Sequence, residues 1–204
     1  TLTRREMGGG SSPTRTVVMG GGNPATNVID FVTTATLGNA TDFGDLTVAR
    51  YYVAACSTEI RGVWGGGNTG SYSNVIDYIT IASTGNATDF GDLTVARREF
   101  GGGSSPTRAV FMGSGNPAGN TIDFITIASL GNATDFGDLL SNIVGGSAVS
   151  DSSRGVYSGG TAPTLVNVMQ FITIASTGNS IDFGDLTLAR TSLGSASNGH
   201  GGLS

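Results

Sequence analysis

The sequence predicts an all-β protein built from tandem repeats of about 47 residues. Glycine supplies 34 of the 204 residues and charged residues only 12%, which disfavours helices because an interior glycine costs about 1 kcal/mol relative to alanine. Hydrophobic residues make up 38%, too many for a disordered linker. The string DFGDL recurs around Phe43, Phe90, Phe136 and Phe183, at spacings of 47, 46 and 47 residues. Such a fixed period is typical of repeat architectures.

Each repeat is expected to hold four short strands separated by turn signals. In the second repeat the candidate strands are YYVAACS, RGVWGGG, NVIDYITIAS and ATDFGDLTVAR. Within the third of these, Ile79 and Ile81 fall on one face while Ile76 and Tyr78 fall on the other, so both faces need cover. Sheets stacked on one another provide that cover. Four strands in this length match one blade of a β-propeller, which is the predicted fold.

The chain is expected to form a single repeat domain over residues 1–204, with four full blades and the start of a fifth. The predicted units cover residues 4–49, 50–96, 97–143 and 144–189, and residues 190–204 begin the next unit, with His200 aligned to Arg154. Two explanations of this partial unit stay open. The chain is part of a longer array, or the extra strand pairs with a neighbouring subunit by edge addition. A head-to-tail contact of the second kind builds a ring or a filament.

Polar residues repeat in step with DFGDL and are interpreted as a structural framework. One set of arginines precedes a short apolar strand: Arg15, Arg61, Arg108 and Arg154. A second set is Arg4, Arg50, Arg97 and Arg190, with Val144 in its missing place. Three sets of aspartates repeat as well: Asp30, Asp77 and Asp123, with Gln170 in the fourth position; Asp42, Asp89, Asp135 and Asp182; and Asp45, Asp92, Asp138 and Asp185. We expect one or two Arg-to-Asp or Asp-to-turn contacts in each unit.

The repeat resembles a known family. An arginine, an apolar strand ending in GGG, then N-V-I-D-Y and a strand closing on L-T-V-A-R resemble the kelch repeat over nearly all of residues 4–190, although phenylalanine stands where kelch repeats usually have tryptophan. The sequence NVIDYITIASTGNATDFGDLTVARR, together with GGGSSPTR, resembles sequences of kelch-like virion structural and tail-fibre proteins of marine and cyanobacterial tailed phages. This resemblance implies a virion or extracellular location and a role in assembly or host-surface attachment. The implied partners are other virion or filament subunits, head-to-tail copies and host-surface glycans.

Composition argues against several other functions. A net charge of −5 opposes nucleic-acid binding, and no apolar run approaches the ~20 residues needed to span a bilayer, so we expect a soluble protein. Catalysis needs a constellation that is not repeated, and the only histidine is His200, so we expect no enzymatic activity. The paired carboxylates of D-F-G-D raise calcium as an alternative, but nothing completes a ligand set. We therefore expect no cofactor or metal.

A binding surface is expected where the repeats differ most, because framework positions stay fixed while loops vary. The least repeated stretches are residues 57–60, 67–73, 140–153 and 161–165. The candidate surface residues are Trp64, Tyr72 and Tyr157, and Trp64 has a core position as its other interpretation. A carbohydrate-binding, lectin-type propeller is the alternative function. The three Asn-Ala-Thr motifs, which begin at Asn39, Asn86 and Asn132, are interpreted as turns.

Overall fold

The computed structural model describes residues 3–22, 24–115 and 118–196. Those residues form sixteen strands and no helix, which confirms the all-β prediction. The strands make four antiparallel sheets of four strands each, and within each sheet the strands follow chain order. Consequently, no helix of the described part of the chain has the length and apolar character needed to cross a lipid bilayer.

Each repeat folds into one sheet, numbered here in chain order. Sheet 1 contains β1 (Gly8–Ser11), β2 (Arg15–Met19), β3 (Val28–Thr33) and β4 (Thr41–Asp45). Sheet 2 contains β5 (Ala54–Ser57), β6 (Arg61–Gly65), β7 (Val75–Thr80) and β8 (Thr88–Asp92). Sheet 3 contains β9 (Gly101–Ser104), β10 (Arg108–Gly115), β11 (Ala118–Thr126) and β12 (Thr134–Asp138). Sheet 4 contains β13 (Ser147–Ser150), β14 (Arg154–Ser158), β15 (Val168–Thr173) and β16 (Ile181–Asp185).

The apolar core is divided among three junctions between consecutive sheets. Ile76 and Ile79 of β7 are both buried, and they belong to different cores: Ile79 packs with residues of sheet 1 and Ile76 with residues of sheet 3. A third core joins sheets 3 and 4. A strand that is apolar on both faces is therefore stable here because a sheet covers each face, as the sequence pattern predicted.

The DFGDL string forms the outer strand of each sheet and contains a β-bulge. In sheet 2, Asp77 pairs with Asp89 and Ile76 pairs with Gly91, which leaves Phe90 as the extra residue. The bulge directs the Phe90 ring into the core, where it meets Tyr78 edge-on at 5.8 Å between ring centroids. A Cβ atom on Gly91 would lie 2.5 Å from the carbonyl oxygen of Gly131, so only glycine permits the approach of sheet 3.

The four phenylalanines of DFGDL are equivalent within their sheets but not in their burial. Phe43, Phe90 and Phe136 are buried, whereas Phe183 is 50% exposed. Phe183 still meets Phe171 edge-on at 5.8 Å, as Phe90 meets Tyr78. The surroundings of Phe183 therefore differ from those of the other three phenylalanines. The reason is physical: sheets 2, 3 and 4 cover the first three rings, and the described residues supply no sheet to cover the fourth.

Strands β1, β5, β9 and β13 are the inner strands, and neighbouring inner strands lie against each other in series. Residues 191–196 continue this series beside β13. The Ser192 N–H donates to the carbonyl of Gly145 at 2.8 Å, repeating the bond from the Tyr52 N–H to the carbonyl of Glu6 at 3.0 Å. Ser195 Oγ donates to the carbonyl of Ala148 at 2.8 Å. The rest of the predicted fifth unit, including His200, lies outside the described residues.

Candidate functional site

The inner strands line a cleft with a volume of about 770 Å³. Its walls are formed by β1, β5, β9 and β13, together with residues 192–196. Glycine, serine and alanine dominate these strands. Small side chains allow the four inner strands to converge, and they leave backbone groups and hydroxyls as the main chemistry of the wall.

Serine hydroxyls of the wall join neighbouring inner strands. Ser150 Oγ accepts from the Ser104 N–H at 2.8 Å and donates to the Ser104 carbonyl at 2.9 Å. Ser104 Oγ in turn donates to the carbonyl of Ser57 at 2.8 Å, and Ser57 Oγ accepts from the N–H of Ser11 at 3.1 Å. These hydroxyls therefore connect neighbouring sheets through backbone groups.

One rim of the cleft is formed by a repeated set of residues in left-handed backbone conformation: Glu6, Tyr52, Glu99, Gly145 and Ser192. Four of the five are not glycine, and such a conformation costs about 1–3 kcal/mol at a bulky residue. The backbone N–H of Tyr52, of Glu99 and of Ser192 each donates to the carbonyl of the preceding member of the set. These inter-sheet bonds offset the strain. Sequence reasoning missed this set because only Gly145 signals the conformation.

Tyr52 and Glu99 of the rim belong to an aromatic and charged cluster, called the rim cluster and defined as Tyr51, Tyr52, Tyr72, Arg98 and Glu99. The Arg98 guanidinium lies 5.3 Å from the ring centroid of Tyr52 and 5.6 Å from that of Tyr72. Its Nε lies 3.3 Å from Glu99 Oε1, and the rings of Tyr51 and Tyr52 are 5.2 Å apart. Flat aromatic faces next to a cation and a carboxylate suit a polyhydroxylated ligand.

The rim cluster also places a carboxylate against a phenol. A hydrogen bond to Glu6 raises the pKa of Tyr52 above its ordinary value, because the bond to the carboxylate favours the protonated phenol. The cluster differs from the rest of the rim: the positions of Tyr51 and Tyr52 are taken by Arg5 and Glu6 one repeat earlier. The rim therefore differs between repeats, and within the cluster only Tyr72 lies in a stretch that the sequence singled out as variable, residues 67–73.

Two of the three aromatic residues predicted for a binding surface are buried: the surface assignment of Tyr157 is corrected, and for Trp64 the core interpretation is confirmed. Trp64 is 0% exposed in the core between sheets 1 and 2, and Tyr157 is 0% exposed in the core between sheets 3 and 4. Tyr157 Oη accepts from the Gly146 N–H at 3.1 Å, and burial raises its pKa to about 12. Both rings lie on the second strand of a sheet and face the preceding sheet. Tyr72, at 38% exposure, lies at the surface.

A buried ionic group recurs at the junctions between sheets. Arg50 Nη2 lies 2.9 Å from Asp77 Oδ2 and also donates to the carbonyl of Trp64 at 3.2 Å. Thr47, from the preceding unit, donates to Asp77 through its hydroxyl at 2.6 Å and its N–H at 3.2 Å. Arg97, Asp123 and Thr94 repeat this geometry, and Arg4 pairs with Asp30 at 2.5 Å. Burial lowers the pKa of Arg50, and the Asp77 carboxylate opposes that effect.

The fourth unit replaces the whole ionic group by neutral residues. Gln170 stands in the aspartate position, and its Oε1 accepts from the Leu140 N–H at 2.8 Å and from Ser180 Oγ at 2.7 Å. Buried Ile143 takes the arginine position, because it is Val144 that pairs with Thr161 as Tyr51 pairs with Asn68. The placement of Val144 in the arginine set is corrected, and the boundary of the fourth unit moves to residue 143.

The other arginine set contacts aromatic rings and backbone carbonyls. Arg15, Arg61, Arg108 and Arg154 stack over an aromatic ring of the third strand of their own sheet, at 4.6 to 4.8 Å. Three of them also donate to a carbonyl of the next sheet, as Arg15 does to Ile81 at 2.8 Å. None of the four forms an ion pair with an aspartate among the described residues. The expected Arg-to-Asp contact is therefore made by Arg4, Arg50 and Arg97 of the first three units.

The DFGDL aspartates lie at the outer edge, away from the cleft. Those that precede phenylalanine are exposed: Asp42, Asp89, Asp135 and Asp182. The second aspartate of each string acts through its backbone, since the Asp45 N–H donates to Asn86 Oδ1 at 3.1 Å and the Asp92 N–H to Asn132 Oδ1 at 3.1 Å. No three His, Cys, Asp or Glu side chains group closely enough to hold a metal ion within the part of the chain that the structure describes.

The single cysteine is buried between sheets 2 and 3. The Cys56 thiol donates to the carbonyl of Val110 at 3.6 Å, and burial raises its pKa to about 12. Because the thiolate is the nucleophilic form, this thiol is chemically inert in the folded protein.

No protein-family model matches the sequence, and no curated protein is significantly similar to it.

Proposed function

We propose that the chain is a propeller-type, non-enzymatic structural and binding module of an extracellular assembly such as a phage-like virion appendage. The observation that carries this proposal is the use of the repeated polar residues. The arginines, aspartates and serines that recur in each unit contact one another or the backbone across sheet junctions. Residues engaged in this way support a scaffold, and the variable rim is left for recognition.

A test of the virion assignment uses the location of the protein. Antibodies raised against the purified chain are applied to particles from the culture fluid of the source organism, and gold labelling is read by electron microscopy. Labelling confined to an appendage of the particles supports the proposal. Labelling of the cellular fraction alone contradicts it. Antibodies first absorbed with the purified chain serve as the control.

Carbohydrate binding is the second candidate function, and the rim cluster favours it. Tyr72 offers an exposed ring, and Arg98 between the two tyrosine rings offers donors for hydroxyl or carboxylate oxygens. A glycan array with the intact chain and with Tyr72→Ala tests this function. We expect a ligand retained by the intact chain and by a control variant at the exposed residue Leu130, Leu130→Ala, but lost by Tyr72→Ala. Equal binding by all three proteins would exclude the cluster as the site.

A further inference from the structure

The two ends of the sheet series expose surfaces that the inner junctions bury. At the sheet 4 end, Phe183 is 50% exposed, against 2% for Phe90. At the sheet 1 end, Met7 is 44% exposed, whereas Val53, its equivalent in the next unit, is 8% exposed. Thr34 is exposed as well, although its equivalent Ile81 is fully buried. The sheet 4 end therefore exposes one side of a junction, and the sheet 1 end exposes the opposite side.

Three hydrogen bonds define every inner junction between an outer strand and the Gly-Asn turn of the next sheet. Between sheets 1 and 2, the Gly85 N–H donates to the Phe43 carbonyl at 2.8 Å, and the Ala87 N–H donates to the Asp45 carbonyl at 2.8 Å. The third is the bond from the Asp45 N–H to Asn86 Oδ1 at 3.1 Å. The same three bonds recur between sheets 2 and 3 and between sheets 3 and 4.

The ends carry the complementary halves of these three bonds. Sheet 4 offers the Phe183 carbonyl and both backbone groups of Asp185, and sheet 1 offers the turn Gly38, Asn39 and Ala40. No described residue stands opposite either half. Gly184 keeps the positive φ of 133° found at the other bulges, yet a Cβ on it would meet no atom within 4 Å. At the other bulges the equivalent glycine allows the next sheet to approach the strand closely. Within one copy, no sheet approaches Gly184 in this way.

The buried ionic group is divided between the ends as well. Thr187 occupies the position of Thr47 at the edge of sheet 4 and is exposed. Asp30 occupies the position of Asp77 on sheet 1, held by Arg4 but without the threonine that a preceding unit would supply. Arg154 stacks on Phe171, and no described carbonyl of a following sheet lies against it.

From this complementarity we propose that sheet 4 of one copy docks on sheet 1 of a second copy, head to tail. The Gly38–Ala40 turn of the second copy bonds to Phe183 and Asp185, and Thr187 donates to the second copy's Asp30. The contact is heterologous, so it adds copies until a ring closes or a filament grows. It extends the assembly role proposed above but depends on the sheet geometry rather than on a virion location.

Residues 191–196 compete with this docking. They lie beside β13, in the position that β1 (Gly8–Ser11) of the second copy would take. Docking therefore requires the segment to move away. Ser192 holds it through a donated N–H and a φ of 56°, and proline can supply neither. Ser192→Pro should release the segment and strengthen association.

Sedimentation-velocity centrifugation of the full chain over a range of concentrations tests the proposal. We expect the mean mass of the wild-type chain to rise with concentration, and Ser192→Pro to show the same rise at a concentration at least several-fold lower. Phe183→Asp puts a charge into the sheet 4 face, and Thr34→Arg puts a second cation beside the partner's Arg154 on the sheet 1 face. Each of these two variants alone should remain monomeric.

Mixing the two blocked variants separates head-to-tail docking from other association. Phe183→Asp keeps a sound sheet 1 face and Thr34→Arg keeps a sound sheet 4 face, so their mixture should form a 1:1 heterodimer and nothing larger. Ile60→Asp, at an exposed position away from both faces, should associate as the wild type does. Circular dichroism checks that each variant is folded. Monomeric Ser192→Pro at every concentration, or unchanged association of both blocked variants, would overturn the proposal.

Discussion

At the scale of single residues, the fully buried arginines Arg50 and Arg97 each face a buried carboxylate. Arg50 and Asp77 are both fully buried, and breaking such a pair leaves one charge uncompensated. The fourth unit avoids that cost by changing all members of the group together, with Gln170 and Ile143 in the aspartate and arginine positions. Gln170 and Ile143 therefore show which neutral residues can replace an aspartate and an arginine at these positions.

A double substitution tests this balance. Arg50→Ile alone should lower the free energy of unfolding by about 3–5 kcal/mol, because Asp77 then stays buried without its cation. Adding Asp77→Gln, which copies the fourth unit, should recover most of that loss. Urea unfolding of the wild type, both single variants and the double variant gives the coupling free energy. Additive losses would contradict the pairing.

Cys56 makes stability depend on alkaline pH. An exposed thiol titrates near pH 9.0 and the folded one near 12, so the folded state holds the proton more tightly. The contribution of this thiol to the free energy of unfolding is therefore fully present below pH 9. Above that value it falls by about 1.4 kcal/mol for each pH unit, until pH 12. Urea unfolding at pH 8 and pH 10 should show this loss of unfolding free energy in the wild type. In Cys56→Ala the part of the pH dependence that comes from the thiol should be absent. Equal pH dependence of the two proteins would place the thiol at the surface.

At the scale of elements, the bulged outer strand determines how closely two sheets approach. Gly91 has a φ of 142° and would place a Cβ 2.5 Å from a carbonyl oxygen of sheet 3. Gly184 has a similar φ of 133° but no neighbour within 4 Å. The two positions share the backbone strain and differ only in the adjacent sheet.

These two glycines form a matched pair for mutation. Both Gly91→Ala and Gly184→Ala cost about 1–3 kcal/mol of unfolding free energy from the strained φ. Gly91→Ala should cost more than Gly184→Ala, since sheet 3 must also move away from the new methyl group. Thermal unfolding of both variants measures the difference. Equal losses would mean that the outer strand is not covered by the next sheet.

The sequence predicted the sheets well because strand periodicity and the repeat are local signals. It could not predict which aromatic residues are buried, because that depends on the face that a neighbouring sheet covers: Trp64 and Tyr157 lie inside junctions, and Phe183 lies half outside. The rim cluster was only partly predictable. Tyr72 stands in a variable stretch, but its position beside Arg98 depends on packing between two units.

At the scale of the whole molecule, the same pattern of contact between an outer strand and the next sheet occurs at three junctions. The two end sheets expose the two sides of this pattern. Stability is therefore expected to be a sum of sheet and junction contributions, as in other repeat proteins. Because every junction shares the three hydrogen bonds between an outer strand and the next Gly-Asn turn, the ends are suited to join further sheets. The cleft and its rim remain accessible at the centre of the series.

Trp64 fluorescence tests the central claim, that consecutive sheets bury each other's apolar faces, most directly. Trp64 is the only tryptophan and lies inside the junction of sheets 1 and 2. We expect emission at shorter wavelength than in urea-denatured protein and quenching by acrylamide that is several-fold weaker. Emission and quenching equal to those of the denatured chain would show that sheet 1 does not cover sheet 2.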